Sequence, residues 1–343
     1  MKVIYLGVIF IIVLMILILN DSNKIVEHLQ FHNVEMKKAY LKQGIIYDRK
    51  KRELRKCSNN NCKIINLSSQ LNHPNSNHIS NNKIVTSRIL ALNNISVPKS
   101  VLIRRKNFSK SHLNSLIQNE GLKYPLVLKP VSGTQGYGVH LNINNIDELY
   151  DISTKLLINN RYLTLEEQVY GDNYRIMVLN NEIVDIAKRP LPFVVGNNNK
   201  NLETLIKEFN QKQKLDGNYP CHNINENYIK TQGHNLNSII PNNKTIYITN
   251  VANYHNGSNT IRIPMSKIHQ DNINMFKKTN KLLGLELSGI DYMTNDISKS
   301  YKQEGYIIEV NSGPDVTLHI AADKSNKSMI PNKIISLLNR KFV

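Results

Sequence analysis

The chain has 343 residues and 41% hydrophobic side chains, enough for two or three small domains or one multi-lobed enzyme with a buried core. Its formal charge of +18 is dispersed rather than gathered in one block. With no Trp and no recognisable binding module, that argues against a nucleic-acid-binding protein. The charge is left to an acidic peptide or polymer substrate, or to base composition, since the abundant Lys, Asn and Ile all use A/T-rich codons. Cys57, Cys62 and Cys221 form neither a zinc pattern nor an even disulfide set; the Cys57/Cys62 pair spans an Asn-rich, turn-like stretch that a bond could close into a small loop, but two free thiols on a reducing side are the reading preferred.

The N-terminal run "VIYLGVIFIIVLMILIL", Val3 to Leu19, is apolar and uncharged. It is long enough for a short bilayer span, and no small-x-small cleavage site follows it, so a retained single-pass anchor over residues 1–20 is expected. "NVEMKKAYLKQGI" reads as a helix with Val34, Ala39 and Leu41 as its apolar positions and Gly44 as its stop. The Asn-, Ser- and His-rich stretch from Cys57 to Asn82 reads as loop. A helix is expected from Lys83 to Leu92, and another over "IDELYDISTKLLINN", where Asn145 and Glu148 have capping-box spacing. "YLTLEEQV" reads as a strand and "YRIMVLNNEIVDIAKRP" as a hairpin turning at Asn180-Asn181. Helices over "NLETLIKEFNQKQ" and "NINMFKKTNKLLGL" follow, the second closed by Gly284, and then a second hairpin, "SGIDYMTND…EGYIIEVN". Helices mixed with antiparallel hairpins indicate α+β lobes rather than a doubly wound parallel sheet.

Two stretches suggest chemistry. In "YPLVLKPVSGTQGYGVHL" a strand ends at Lys129-Pro130 and a glycine-rich loop leads into another strand. It is neither a Walker loop nor a Rossmann fingerprint. Glycines there let backbone N–H groups approach an anion, and Lys129 adds charge, although a plain glycine-rich hairpin fits the same residues. In "GYIIEVNSGPDVTLH", Glu309 and Asn311 are two apart on a strand and leave the same face, with Asp291 on the preceding strand. Two carboxylates and an amide oxygen make a hard-oxygen set of the kind Mg²⁺ takes beside phosphate. "LEEQVYGDNYRIMVL" lies between them and suits either a connector between lobes or an ordinary strand and turn.

Taken in order, "NKIVTSRILALNNISVP", "YPLVLKPVSGTQGYGV", "LEEQVYGDNYRIMVLNNEIVDIAKRP", "VGNNNKNLETLIKEFN", "TIYITNVANYHNG", "SGIDYM" and "IIEVNSGPDVTLH" resemble the ATP-grasp superfamily. Within it they are most similar to the ATP-grasp region of cyanophycin synthetases, followed by that of bifunctional glutathione synthetases. The resemblance covers roughly Val34 to His319. It implies an α+β ATP-grasp fold in which two α/β lobes grip ATP. A pre-ATP-grasp segment would span 21–80, the N-terminal lobe 81–165, the C-terminal lobe 166–330 and a tail 331–343. It implies ATP and Mg²⁺, two ions with Mn²⁺ as an alternative, held by Asp291, Glu309 and Asn311. Lys129 and Lys106, with Arg105 next to it, would contact the phosphates under a mobile loop containing Ser132, Gly133, Gly136 and Gly138. Glu166, Glu167 and Val169 would frame adenine. Asn173, with Asp172 beside it, stands where the family has an acidic ribose ligand. Arg175 and Arg189, with Lys129, would act on the transferred phosphate and the acyl substrate. "ANYHNGSN" carries fewer glycines than the comparable family loop, and His319 reads equally as a site residue or a structural one.

The implied activity is an ATP-dependent carboxylate–amine ligase acting through an acyl phosphate on small amino acid or peptide substrates, with oligomer formation compatible. A catalytically inactive nucleotide-binding or scaffold protein is the alternative. Full cyanophycin synthetases carry a further ligase domain after this region. The chain ends 24 residues after His319, so one bond-forming step is expected rather than cyanophycin synthesis. ATP use and reduced thiols place the catalytic part on the cytosolic side of the membrane.

Overall fold

The structure, a computed structural model, describes residues 35–36, 38–48, 53–58, 61–66, 71–131, 138–327 and 329–340. These fall into two compact units, one containing residues up to Gln70 together with Lys324–Val343, the other Leu71–Asp323. Among the described residues no helix is long and apolar enough to cross a membrane. The run Val3–Leu19, expected to be an anchor, lies outside them.

In the first unit, residues 35–36 and 38–42 are helical and Gly44 ends the turn with φ 66°. This helix buries Met36, Ala39 and Tyr40. Leu41, expected on the inner face, is exposed, because the spacing of three and four residues from Met36 defines a stripe that Leu41 lies outside. Strands β1 (Ile45–Asp48), β2 (Glu53–Ser58) and β3 (Asn61–Asn66) form an antiparallel sheet. The β2–β3 register sets Cys57 opposite Cys62, and the two are joined by a disulfide. This corrects the reading as free thiols: five residues of separation across a tight hairpin bring the two Cα atoms to 4.1 Å. The helix Met329–Asn339, in the segment expected as a tail, buries Ile330, Ile334, Ile335 and Leu338 along one stripe.

The second unit starts with helices α1 (Pro74–Asn81) and α2 (Lys83–Leu92), then β4 (Ser100–Arg104), α3 (Lys110–Glu120), β5 (Leu126–Pro130), β6 (His140–Ile143), α4 (Ile146–Asn159) and β7 (Tyr162–Glu167). Strand β3 and helix α1 both lie in the stretch expected as loop. Pro74 at the first helical position and His73, whose Nδ1 accepts from Asn75 N–H at 3.2 Å, start α1 in a sequence otherwise poor in helix formers. Asn145 caps α4 as expected, accepting from Glu148 N–H at 2.9 Å, while the Glu148 carboxylate reaches back to Asn144 N–H at 3.0 Å. Strands in the order β4-β7-β5-β6 form an antiparallel sheet. Leu126, Leu128, Leu163 and Leu165 from that sheet pack on Leu113 of α3 and Leu149 of α4.

Next come β8 (Asp172–Leu179), β9 (Glu182–Arg189), β10 (Phe193–Val195), α5 (Leu202–Leu215), α6 (Glu226–Thr231), β11 (Thr245–Tyr247), β12 (Ile261–Arg262), α7 (Gln270–Leu282), β13 (Leu287–Thr294), β14 (Tyr306–Asn311) and α8 (Thr317–Ala322). The expected Asn180-Asn181 turn joins β8 to β9 with φ 50° and 59°. Every non-glycine residue with positive φ among the described residues is an asparagine, so the abundant Asn serves turns as well as caps. The five-stranded order β12-β9-β8-β13-β14 is again antiparallel. Its Ile176, Val178, Ile186, Ile290 and Tyr292 bury against Phe276 of α7 and Leu90 of α2. The opposite face is polar and carries the candidate site.

Candidate active site

Strand alternation determines which residues share that face. Asn173 pairs with Arg189, Arg175 with Asp291, and Asp291 with Glu309, so the five side chains run across β9, β8, β13 and β14. Gly289, opposite Asn311, makes room for this row. A Cβ there would stand 2.7 Å from Pro314 Cβ and 3.1 Å from Arg175 Nη1.

The row is a connected charge network. Arg175 donates to both oxygens of Asp291, from Nε at 2.5 Å and Nη2 at 3.1 Å, and Arg189 Nη2 donates to Asp291 Oδ1 at 2.8 Å. Arg189 also donates from Nε to Asn173 Oδ1 at 2.8 Å. Burial would raise the Asp291 pKa, but the two guanidiniums outweigh it and hold the carboxyl below its ordinary range. Burial and repulsion from Arg175 lower the Arg189 pKa against the attraction of Asp291. Two guanidiniums share this one carboxylate, and Glu309 and Asp315 also attract Arg175, so the face is a network of buried charges of both signs. Glu309 Oε1 lies 3.1 Å from Lys83 Nζ, a partner that the sequence reading had not named. A small cavity is lined by Lys83, Thr86, Pro98, Glu166, Ile308 and Glu309, so Glu166 of β7 and Glu309 of β14 share a space.

The other expected residues divide. Lys129, at the end of β5, is buried with its Nζ 2.8 Å from Glu166 Oε2. Glu166 and Glu167 point to opposite faces. Glu167 accepts from Lys123 N–H at 3.0 Å, which ties it to the loop before β5 and away from the Lys129 side. Val169 is half-buried in the connector. Two residues on, the connector needs Gly171: a Cβ there would stand 2.5 Å from the Thr294 carbonyl carbon, and its φ is 132°. Asn173, expected at a ribose, has its amide oxygen engaged by Arg189, because the β8–β9 register sets the two opposite each other. Asp172 pairs with Lys188 at 2.5 Å. Lys106 is exposed on a short 3₁₀ turn. Arg105 instead donates to the Ile158 and Asn160 carbonyls and closes the C-terminus of α4. Gly138 has φ 71° and packs against Pro130. Ser132, Gly133 and Gly136 lie outside the described residues.

His319 is buried, its Nδ1 2.7 Å from Asp185 Oδ2, with Arg262 Nε 2.7 Å from Asp185 Oδ1. Beyond Asn311, Asp315 pairs with His255 at 2.8 Å.

A family model described as the RimK-like ATP-grasp domain matches residues 80–191, from α1 to just beyond β9. Over those residues the chain is similar to ATP-grasp proteins. It is 28% identical over 267 residues to the cyanophycin synthetase of Trichormus variabilis, covering 75% of this chain and 29% of that protein. It is also 28% identical over 270 residues to the glutathione biosynthesis bifunctional protein of Clostridium perfringens, covering 76% and 34%. The chain thus spans about a third or less of these relatives' length. In fold it is similar to a bifunctional glutathione synthetase from Pasteurella multocida, with TM-score 0.58 and 19% identity, covering 90% of this chain and 44% of that one.

Asp291, Glu309 and Asn311, expected to hold a divalent cation, set hard oxygen donors on one sheet face, with both oxygens of Asp291 engaged by arginines. Among the described residues no group of three or more His, Cys, Asp or Glu is placed to hold a metal.

Proposed function

We propose that the chain is an ATP- and Mg²⁺-dependent carboxylate–amine ligase of the cyanophycin-synthetase kind, acting on small amino acid or peptide substrates. The observation that carries this is the charge row on the polar face of the five-stranded sheet, Arg189, Arg175, Asp291 and Glu309, within an ATP-grasp domain. Its two buried guanidiniums suit the carboxylate and phosphate groups that such a reaction brings together.

In the proposed reaction the substrate carboxylate attacks the γ-phosphate of ATP, giving an acyl phosphate and ADP. An amine then attacks the acyl carbon, and phosphate leaves. Arg175, Arg189, Lys129 and Lys106 would spread the charge on the transferred phosphoryl group, which needs positioning and electrostatics rather than a side-chain nucleophile. Magnesium, held by Glu309, Asn311 and Asp291, would supply charge neutralisation at the phosphate oxygens. Lys129 would turn from Glu166 toward the phosphates.

Full-length protein given ATP, Mg²⁺ and a pool of amino acids and short peptides tests this by ADP release and product mass. Substrate-dependent ADP is expected. ATP binding without such release would favour an inactive nucleotide-binding domain, a reading supported by the arginines occupying both oxygens of Asp291. We further propose that Val3–Leu19 anchors the chain in a membrane with this domain on the cytosolic side, on the ground of ATP use alone, since Cys57 and Cys62 are joined and not free thiols. Protease protection in sealed vesicles checks the side.

A further inference from the structure

Outside the charge row, one half-exposed pair is held with unusual care for a loop. Residues 251–260 have little regular structure, yet their buried groups are anchored in several directions. Asn256 Oδ1 accepts from His222 and Asn223 N–H, both at 2.9 Å. Ser258 Oγ donates to the Pro190 carbonyl at 2.5 Å, and Gln213 Nε2 donates to the Gly257 carbonyl at 3.0 Å. Thr260 Oγ1 donates to the Leu318 carbonyl at 2.9 Å. Gly257 has φ 83°, and a Cβ there would stand 2.8 Å from Cys221 Cβ. Burial pushes the Cys221 thiol up to about 11, so it stays a protonated packing group rather than a nucleophile. Tyr254 is buried edge-on against Tyr219, with ring centroids 5.0 Å apart.

His255 is the group that this frame presents outward. Its backbone N–H donates to Asn253 Oδ1 at 3.0 Å, and its ring packs against Tyr219 with centroids 4.5 Å apart. Its Nε2 donates to Asp315 Oδ2 at 2.8 Å, while the side chain stays 30% exposed. Nδ1 carries no hydrogen bond among the described residues. Asp315 is itself fixed, its Oδ1 accepting from Thr317 N–H at 2.8 Å. Burial would raise the Asp315 pKa, but the hydrogen bonds from His255 and Thr317 hold it well below the usual carboxylate range. It therefore stays an anion that orients the imidazole.

The pair lies beside the charge row. Asp315 follows Pro314, which packs at Gly289 next to Arg175 Nη1, and its charge acts on Arg175 and on His319. The titratable and charged groups around His255 are thus Asp315, Tyr219 and Tyr254, with Arg175 and His319 beyond Asp315.

We propose that His255 accepts the proton of the incoming ammonium substrate, with Asp315 as its positioning residue. The proposal rests on the ligase reading. His255 Nδ1 takes one proton from the ammonium group, and the freed lone pair attacks the acyl carbon. The C–N bond forms, the C–O bond to phosphate breaks, and its electron pair leaves with inorganic phosphate. The nitrogen's second surplus proton passes to the departing phosphate or to solvent. Positioned proton transfer of this kind is worth roughly 100- to 10,000-fold in rate.

The test separates the two half-reactions. Full-length wild type and His255→Gln are given ATP, Mg²⁺ and a pool of the common amino acids and acidic dipeptides, with or without hydroxylamine. Hydroxylamine is uncharged near neutral pH and needs no proton removed before it attacks an acyl phosphate. The variant is expected to lose amide formation by about 100-fold or more while hydroxamate formation stays within about threefold. Asp315→Asn should lose amide formation about 10-fold, and Asp315→Glu should recover part of it. Equal loss of both products in His255→Gln, loss of neither, or a wild type that makes hydroxamate but no amide would overturn the assignment. Absence of ADP and hydroxamate from wild type across the pool would overturn the ligase reading itself.

Discussion

The five-stranded sheet has two faces built from alternate residues of the same strands, and they are held by different physics. On one face Ile176, Ile186, Ile290 and Tyr292 pack against Phe276 and Leu90, where burial of apolar area does the stabilising. On the other, Arg175, Arg189 and Asp291 are also buried but are held by hydrogen bonds and charge. The apolar face tolerates changes that conserve volume. The polar face tolerates little, since removing one charge strands its partners. A single strand such as β13 therefore contributes to the core through Ile290 and to the site through its neighbour Asp291.

Four changes would break or sharpen that contrast. Asp291→Ala has the largest expected effect. It leaves two guanidiniums buried without a carboxylate, costing about 3–5 kcal/mol in denaturant unfolding, and it removes ADP release as well. Wild-type stability in this variant would mean that the polar face is not a locked network. Phe276→Ala should cost a similar or slightly smaller amount, about 3–5 kcal/mol, by leaving a cavity behind the sheet. Its turnover per folded molecule should nevertheless stay near wild type, measured at a temperature where both proteins are folded.

Glu309→Gln comes next. Glu309 is partly exposed and pairs with Lys83, so the stability change should be under about 1 kcal/mol. ADP release should fall about 100-fold or more, because a charged group facing the phosphates is lost. The smallest effect concerns pH. Burial lowers the His319 pKa against the opposing attraction of Asp185, with Arg175 adding to the lowering and Asp315 opposing it. The unfolded chain then binds a proton below its ordinary value of 6.5 that the folded protein resists. The stability contribution is complete above that pH and declines as pH falls toward the folded value, by at most about 1.4 kcal/mol per pH unit. Urea midpoints for wild type and His319→Asn across this range should differ in slope, the variant being flatter.

Local features of the fold were legible from the chain. The cap at Asn145, the helix from Lys83 to Leu92, the Asn180-Asn181 turn and the shared face of Glu309 and Asn311 all depend on residues within a few positions of one another. Helix α1 was missed because its starting signal, His73 with Pro74, is set in a run of residues that favour turns. The Cys57–Cys62 disulfide was missed because composition speaks to compartment and not to hairpin register. The place of Lys129 at a strand end, and of Asp291, Glu309 and Asn311 on paired strands, was legible from strand ends and alternation. The occupancy of Asn173 by Arg189 and of Glu309 by Lys83 was not, since those partners are 16 and 226 residues apart in the chain.

The sequence by itself thus determined most of the elements in the second unit, several of their caps and which side chains share a face of each strand. It did so because backbone propensity and side-chain alternation act over a few residues. Only the tertiary structure decided who meets whom across the polar face: Arg175 and Arg189 on Asp291, Lys83 on Glu309, and Asp315 on His255 from 60 residues away. Those pairings follow from strand order and register, and the energies that select them belong to contacts between distant parts of the chain.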